Sequence, residues 1–114
     1  MNHMTDYLKN KVLVDNLSSN AYIALFTDNG EVNATSYKRM PATFITPVEG
    51  QTSNSADILF PIATEAWGTI TSVGIFDASA TGNLLFKSPA EFAKTVDVSS
   101  QYKIPKNYLI VRLK

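Results

Sequence analysis

A mainly β fold, a single-domain antiparallel β-sandwich or small barrel with an N-terminal α-helix, is predicted by three observations. Short segments rich in β-branched and aromatic residues recur between turn signals along most of the chain. The segment Thr69 to Phe76 is the strongest of them, with Ile70 and Phe76 assigned to one face and Val73 and Ile75 to the other. Ala78-Ser79-Ala80-Thr81-Gly82-Asn83 then supplies small turn-forming residues that reverse the chain into Leu84-Leu85-Phe86. A strand apolar on both faces is central or covered on both sides, so this hairpin is the expected core.

The remaining elements follow in chain order. Thr5 or Asp6 caps a helix running to about Leu17, since either side chain accepts from orphan N–H groups. Met4, Tyr7, Leu8, Val12 and Val14 gather on one broad face, and Leu13 and Leu17 lie toward the opposite side. Two readings of Leu17 stand side by side. Either it packs under the following loop, or the helix is sandwiched between its own sheet and a neighbouring subunit. Ser18-Ser19-Asn20 ends the helix, and Ala21 to Thr27 is a strand apolar on both faces. Asp28-Asn29-Gly30 is a turn in which Asn-Gly tolerates positive φ. Tyr37 to Thr46 reads as a strand interrupted at Pro41, which places it at an edge or bulge. Pro47 to Ala56 is polar and turn-rich, an exposed loop of about ten residues.

Asp57 to Phe60 is a short strand stopped by Pro61, and Ile62 to Ala66 is a loop or one helical turn. Ser88 to Ala93 reads as a connection and Lys94 to Val98 as a short strand with Val96 and Val98 inward. Tyr102 to Ile104 alternates before a Pro105-Lys106-Asn107 turn. The last strand puts Leu109, Val111 and Leu113 on one face and Tyr108, Ile110 and Arg112 on the other.

At 114 residues the chain fits one domain over 1–114, with the helix at about 5–17 and the β domain at about 21–114. Ten acids balance ten bases. The zero net charge gives no field for a nucleic-acid backbone or an anionic membrane, so neither is an expected partner. There is no cysteine, which excludes disulfides and thiolate metal sites. The opening residues lack the basic and apolar regions of a secretory signal, and no stretch approaches the roughly 20 apolar residues of a membrane helix. Synthesis and folding in a cytoplasm is the expectation.

Residues that carry chemistry are sparse. His3 is the single histidine and sits beside a terminus, which removes nucleophilic triads and histidine-based metal sites. Asp28-Asn29-Gly30-Glu31 is the nearest approach to a calcium loop, and a hairpin turn explains it better. No glycine-rich loop precedes a helix, so no phosphate-cradling motif is present. No cofactor is expected. Trp67 is either core or a stacking platform for a sugar or a base. Tyr37, Lys38 and Arg39 form either a contact patch or an edge kept soluble by charge. A small hydrolase acting on cell-wall glycan would need two exposed carboxylates from distant loops.

Taken together, four blocks resemble the short phage tail-fibre-type structural proteins of virion gene clusters. They are Tyr7 to Leu13, Tyr22 to Thr27, Asn54-Ser55 through Phe60-Pro61-Ile62-Ala63-Thr64, and Trp67-Gly68-Thr69 through Gly74-Ile75-Phe76-Asp77 with Gly82-Asn83-Leu84-Leu85. Lys94-Thr95-Val96, Ile104-Pro105 and Leu109 to Leu113 also fit. Members often carry a longer insertion, rich in glycine and proline, after the Leu-Phe-Thr strand, where this chain has only Asp28 to Thr35. The resemblance implies a non-enzymatic virion component, an adaptor, fibre base or decoration unit, working as a homo-oligomer beside other virion proteins. Leu13, Leu17, Tyr37 and Arg39 are the expected assembly contacts. Trp67, Gly68, Gly74, Phe76, Asp77 and Asn83 are assigned to the fold. The rival reading is a carbohydrate-binding module for a host-surface glycan, with Trp67 exposed.

Overall fold

The computed structural model describes residues 4–17 and 21–113, without the side chains of residues 91 and 92. His3 and the Ser18-Ser19-Asn20 break lie outside the described residues. The fold is mainly β, with antiparallel sheets and one N-terminal helix.

Helix α1 spans Asp6–Leu17. Thr5 is its cap, its Oγ1 accepting from the Leu8 amide at 3.2 Å. The orientation expected from the apolar pattern is reversed. Leu13 (0 % exposed) and Leu17 are sealed into the chain's own core, while Tyr7 (78 % exposed), Leu8 and Val14 face outward. The reason lies in the inward stripe as a whole, where Lys9 and Asn10 continue the leucine line. Asn10 Oδ1 accepts the Gly50 amide at 2.8 Å, and the Lys9 stem lies across Gly50.

The main sheet has the order β2-β1-β6-β7, from Gly30–Glu31, Tyr22–Thr27, Gly68–Phe76 and Leu84–Val96. Strand β3, Met40–Pro41, shares the same edge of β1 as β2, which puts Pro41 where no inner ladder donor is lost. The β1–β2 turn takes its positive φ at Gly30 (116°) and not at Asn29. Ile23, Leu25, Val73 and Ile75 form the inner face and share one core with Phe60, Trp67 and Val111. Ile70 joins them, contrary to its expected place beside Phe76. Between the pairs Ile70↔Lys94 and Ser72↔Pro89, residues 90–93 of β7 stand opposite Thr71 alone, a bulge that breaks the ladder and increases the local twist beside Ile70. The expected connection at Ser88 to Ala93 is therefore part of one long strand.

The outer face of the sheet needs no second layer of chain. The rings of Phe26 and Phe76 stack at 6.2 Å, the Lys87 ammonium sits 4.4 Å from Phe26, and the Arg39 guanidinium sits 3.6 Å from Phe76. Gly74 makes room for this roof, since a Cβ there would lie 2.6 Å from Phe26 Cε1.

Two short ladders cover the inner face. Strand β4 (Gln51–Ser53) pairs with β9 (Ile110–Arg112), and β5 (Ile58–Leu59) pairs with β8 (Lys103–Ile104). The expected loop at Pro47 to Ala56 is instead a hairpin. Val48 and Gln51 exchange backbone bonds of 2.9 and 3.0 Å around Glu49 and Gly50, whose φ values are 54° and 75°. Two successive positive φ values make this a type I′ turn, a geometry normally signalled by Asn-Gly. Glutamate is strained there, so Glu49→Asn is expected to raise stability by about 0.5–1 kcal/mol. Urea unfolding checks this, and an unchanged midpoint would remove the strain argument. The reading of Tyr37 to Thr46 as one strand is also too long, because only Met40–Pro41 and a bridge at Phe44 pair. Val98, expected inward, is exposed in the turn after β7.

Candidate assembly surface

Tyr37 and Arg39, expected to face a partner, are instead the centre of an internal lock. The Tyr37 hydroxyl accepts from the Leu25 amide at 3.1 Å and donates to Glu31 Oε2 at 2.7 Å. Its ring meets Trp67 edge-on at 5.5 Å and stacks on Phe60 at 6.4 Å. Arg39 grips the Glu31 carboxylate through Nε at 2.8 Å and Nη2 at 2.9 Å. Its Nη1 donates to the carbonyls of Ala78 at 3.1 Å and Thr81 at 2.6 Å. One guanidinium thereby joins the β1–β2 hairpin, the segment before β3 and the β6–β7 loop.

The lock has an electrostatic signature. The hydrogen bond from Arg39 is the main cause holding the Glu31 carboxyl below its ordinary 4.5, with a further contribution from the Tyr37 hydroxyl against the opposing effect of burial. Burial, then the bond to Glu31, pushes the Tyr37 phenol well above its ordinary 10. A lowered acid contributes stability that is present above its unfolded pKa and is lost as pH falls through the folded value. A raised phenol contributes stability that is present below its unfolded pKa and is lost as pH rises toward the folded value. Thermal melts should therefore show losses below about pH 4.5 and above about pH 10. Glu31→Gln should flatten the acid loss selectively; an acid limb identical to the parent's would refute the assignment.

The residues assigned to the fold sit as follows. Trp67 is buried, its Nε1 donates to Ser36 Oγ at 2.9 Å, and its amide donates to the Val96 carbonyl at 2.8 Å. Gly68 follows it at φ 93°. Asp77 accepts from the Asn83 amide at 2.8 Å and from Asn83 Nδ2 at 3.1 Å, closing the β6–β7 loop. These bonds, the backbone one first, lower the Asp77 pKa. Two residues with no sequence signal matter as much. Glu65 accepts from the Ser36 amide, the Ser36 hydroxyl and the Thr35 hydroxyl at 2.7–2.9 Å. Asn54 is fully buried and crosses between the hairpin and the 105–109 segment.

Part of what the chain leaves uncovered is apolar. On α1 it is the Tyr7, Leu8 and Val14 face. On the second layer, Ile45 and Ile110 flank Ser53 from either side, so both isoleucines share one face, and both are exposed. A hollow of about 200 Å³ lies between α1 and this hairpin, lined by Leu13, Val14, Phe44 and Ile45. Among the described residues no group of three or more His, Asp or Glu side chains could hold a metal ion. No helix among them is long and apolar enough to cross a membrane.

The class of phage structural proteins that the sequence resembles is supported by comparison with known families. The particular family is shown directly. The family model described as Podophage GP4 fiber I protein gp80 matches residues 3–112, and the chain belongs to that family. A search of curated proteins found no match. The chain is thus a phage fibre-family protein associated with the virion.

Proposed function

We propose that the chain is a non-enzymatic structural unit of a phage fibre, an adaptor, fibre base or decoration unit, present in several copies per particle and seated against other virion proteins. The observation that carries this reading is the family match across nearly the whole chain. The apolar faces of α1 and of the second layer support it, because exposed apolar area of this kind marks contact surfaces. The carboxylates held below their ordinary pKa, Glu31, Asp57, Glu65 and Asp77, all accept hydrogen bonds that fasten neighbouring segments, a structural use for each perturbation. Trp67, which the glycan-binding alternative needs exposed, is 5 % exposed and favours the structural reading.

The test is quantitative mass spectrometry of purified particles, paired with light scattering of the isolated chain over a concentration series. A fixed stoichiometry above one copy per particle is expected. Absence from purified particles would overturn the proposal, as would a single copy.

A further inference from the structure

The sandwich is closed on one flank and open on the other. Among the described residues, strand β7 ends the main sheet with β6 as its one partner, and β9 ends its ladder with β4 as its one partner. A hollow of about 140 Å³ lies between these two edges, a second of about 250 Å³ lies between β7 and the segment of β8, and the two meet at Val73. Phe86 and Ile110 line the first, and Tyr102, Ile104 and Tyr108 line the second. Tyr108 (63 % exposed) and Ile110 (51 % exposed) form the lip.

Among the described side chains that line the two hollows, the charged ones are all bases. Arg112 borders the first hollow, and Lys94 and Lys103 border the second. Lys103 faces Asp57 at 3.5 Å. The bias extends through the sequence that builds the flank. Leu84 to Lys114 holds six bases and two acids, net +4, against net −4 for Met1 to Asn83. A chain neutral as a whole is therefore divided into an acidic part and a basic part.

We propose that this open flank docks an extended strand, with alternating apolar and acidic side chains, supplied by another protein of the particle. The inference rests on the structural reading above and names the partner's chemistry. Backbone N–H and C=O groups along the unpaired strand edges match a strand, which can continue a ladder as a polysaccharide cannot. The apolar floor takes every second side chain, and the rim of Arg112, Lys94 and Lys103 meets the acids between them.

The experiment uses the full chain, ¹⁵N-labelled, titrated with a capped octapeptide of alternating valine and glutamate. Saturable amide shifts are expected in residues 84–88 and 110–112, weakening as salt rises. A valine–lysine octapeptide is expected to bind about tenfold more weakly or worse, and the variant Lys103→Glu with Arg112→Glu to reverse that preference. Both positions are exposed, and the spectrum of the variant verifies that it is folded before its preference is read. No saturable shift, shifts confined to the β2–β3 edge, or equal shifts with dextran sulfate would each overturn the proposal. A chain that is abundant in particles yet fails this titration would overturn the docking inference alone. Absence from particles would remove the functional reading beneath it.

Discussion

Replacing Asn54 by alanine is expected to lower the unfolding free energy by about 3–5 kcal/mol, among the largest effects of any polar substitution in the chain. The side chain is fully buried and completes three bonds to backbone. Its Nδ2 donates to the carbonyls of Ala56 at 2.8 Å and Pro105 at 2.9 Å, and its Oδ1 accepts from the Leu109 amide at 2.9 Å. Alanine leaves the Leu109 amide and the Ala56 carbonyl without these partners, at about 1–3 kcal/mol for each orphaned buried group before relaxation, while the Pro105 carbonyl keeps the Tyr108 amide at 3.1 Å. The amide of Asn107 still finds the Asn54 carbonyl at 3.0 Å, so the crossing weakens without vanishing. Urea unfolding of the pair measures the effect. A loss below about 1 kcal/mol would mean that water replaces the side chain, and the claim that Asn54 fastens the second layer would fall.

The second large effect is expected at Trp67. Truncation to alanine removes a buried indole, its edge contact with Tyr37 and its donor to Ser36, for a loss of about 3–5 kcal/mol. The damage should spread to Glu65, because Ser36 Oγ, the acceptor of the indole N–H, itself donates to Glu65 at 2.7 Å. Stability and glycan binding should be measured on the same variant. A protein that folds as well as the parent but loses binding to a glycan array would reverse the assignment and restore the sugar-platform reading.

The sequence revealed those features that depend on local pattern. The β6–β7 hairpin, the strand at Tyr22 to Thr27 and the alternation of Leu109, Ile110 and Val111 all follow from residue type along a few positions. Features set by pairing partners were hidden. The turn at Glu49 and Gly50 was misread because glutamate rarely takes positive φ, so the usual Asn-Gly signal was missing. The burial of Ile70 in the core departs from simple alternation beside a break in the β6–β7 ladder, and the β7 bulge that makes this break lies twenty or so residues further along, out of sight of β6 alone.

The four candidate contact residues turn inward for a related reason. Amphipathic spacing on α1 defines two apolar sides but not which one meets the sheet, and that choice was made by Lys9 and Asn10 meeting Gly50. Tyr37 and Arg39 looked like surface residues because their anchor, Glu31, and the carbonyls at Ala78 and Thr81 come from other segments. The outer-face roof was equally invisible, since Lys87 and Phe26 meet only across two strand pairings.

The β4–β9 ladder also sets an order of events in time. Gln51 and Arg112, which pair across it, stand 61 residues apart in the chain, whereas β6 and β7 are joined by a short loop. Closing the longer loop costs more chain entropy before any contact forms, so the hairpin should assemble early and the cover late. Until then Ile23, Leu25, Val73 and Ile75 present a bare apolar face. Conservative truncations at Ile75 should slow refolding, and those at Val111 should mainly speed unfolding. A refolding rate slowed as much at Val111 as at Ile75 would reverse that order. The interval before β9 arrives is when this protein is most prone to aggregate.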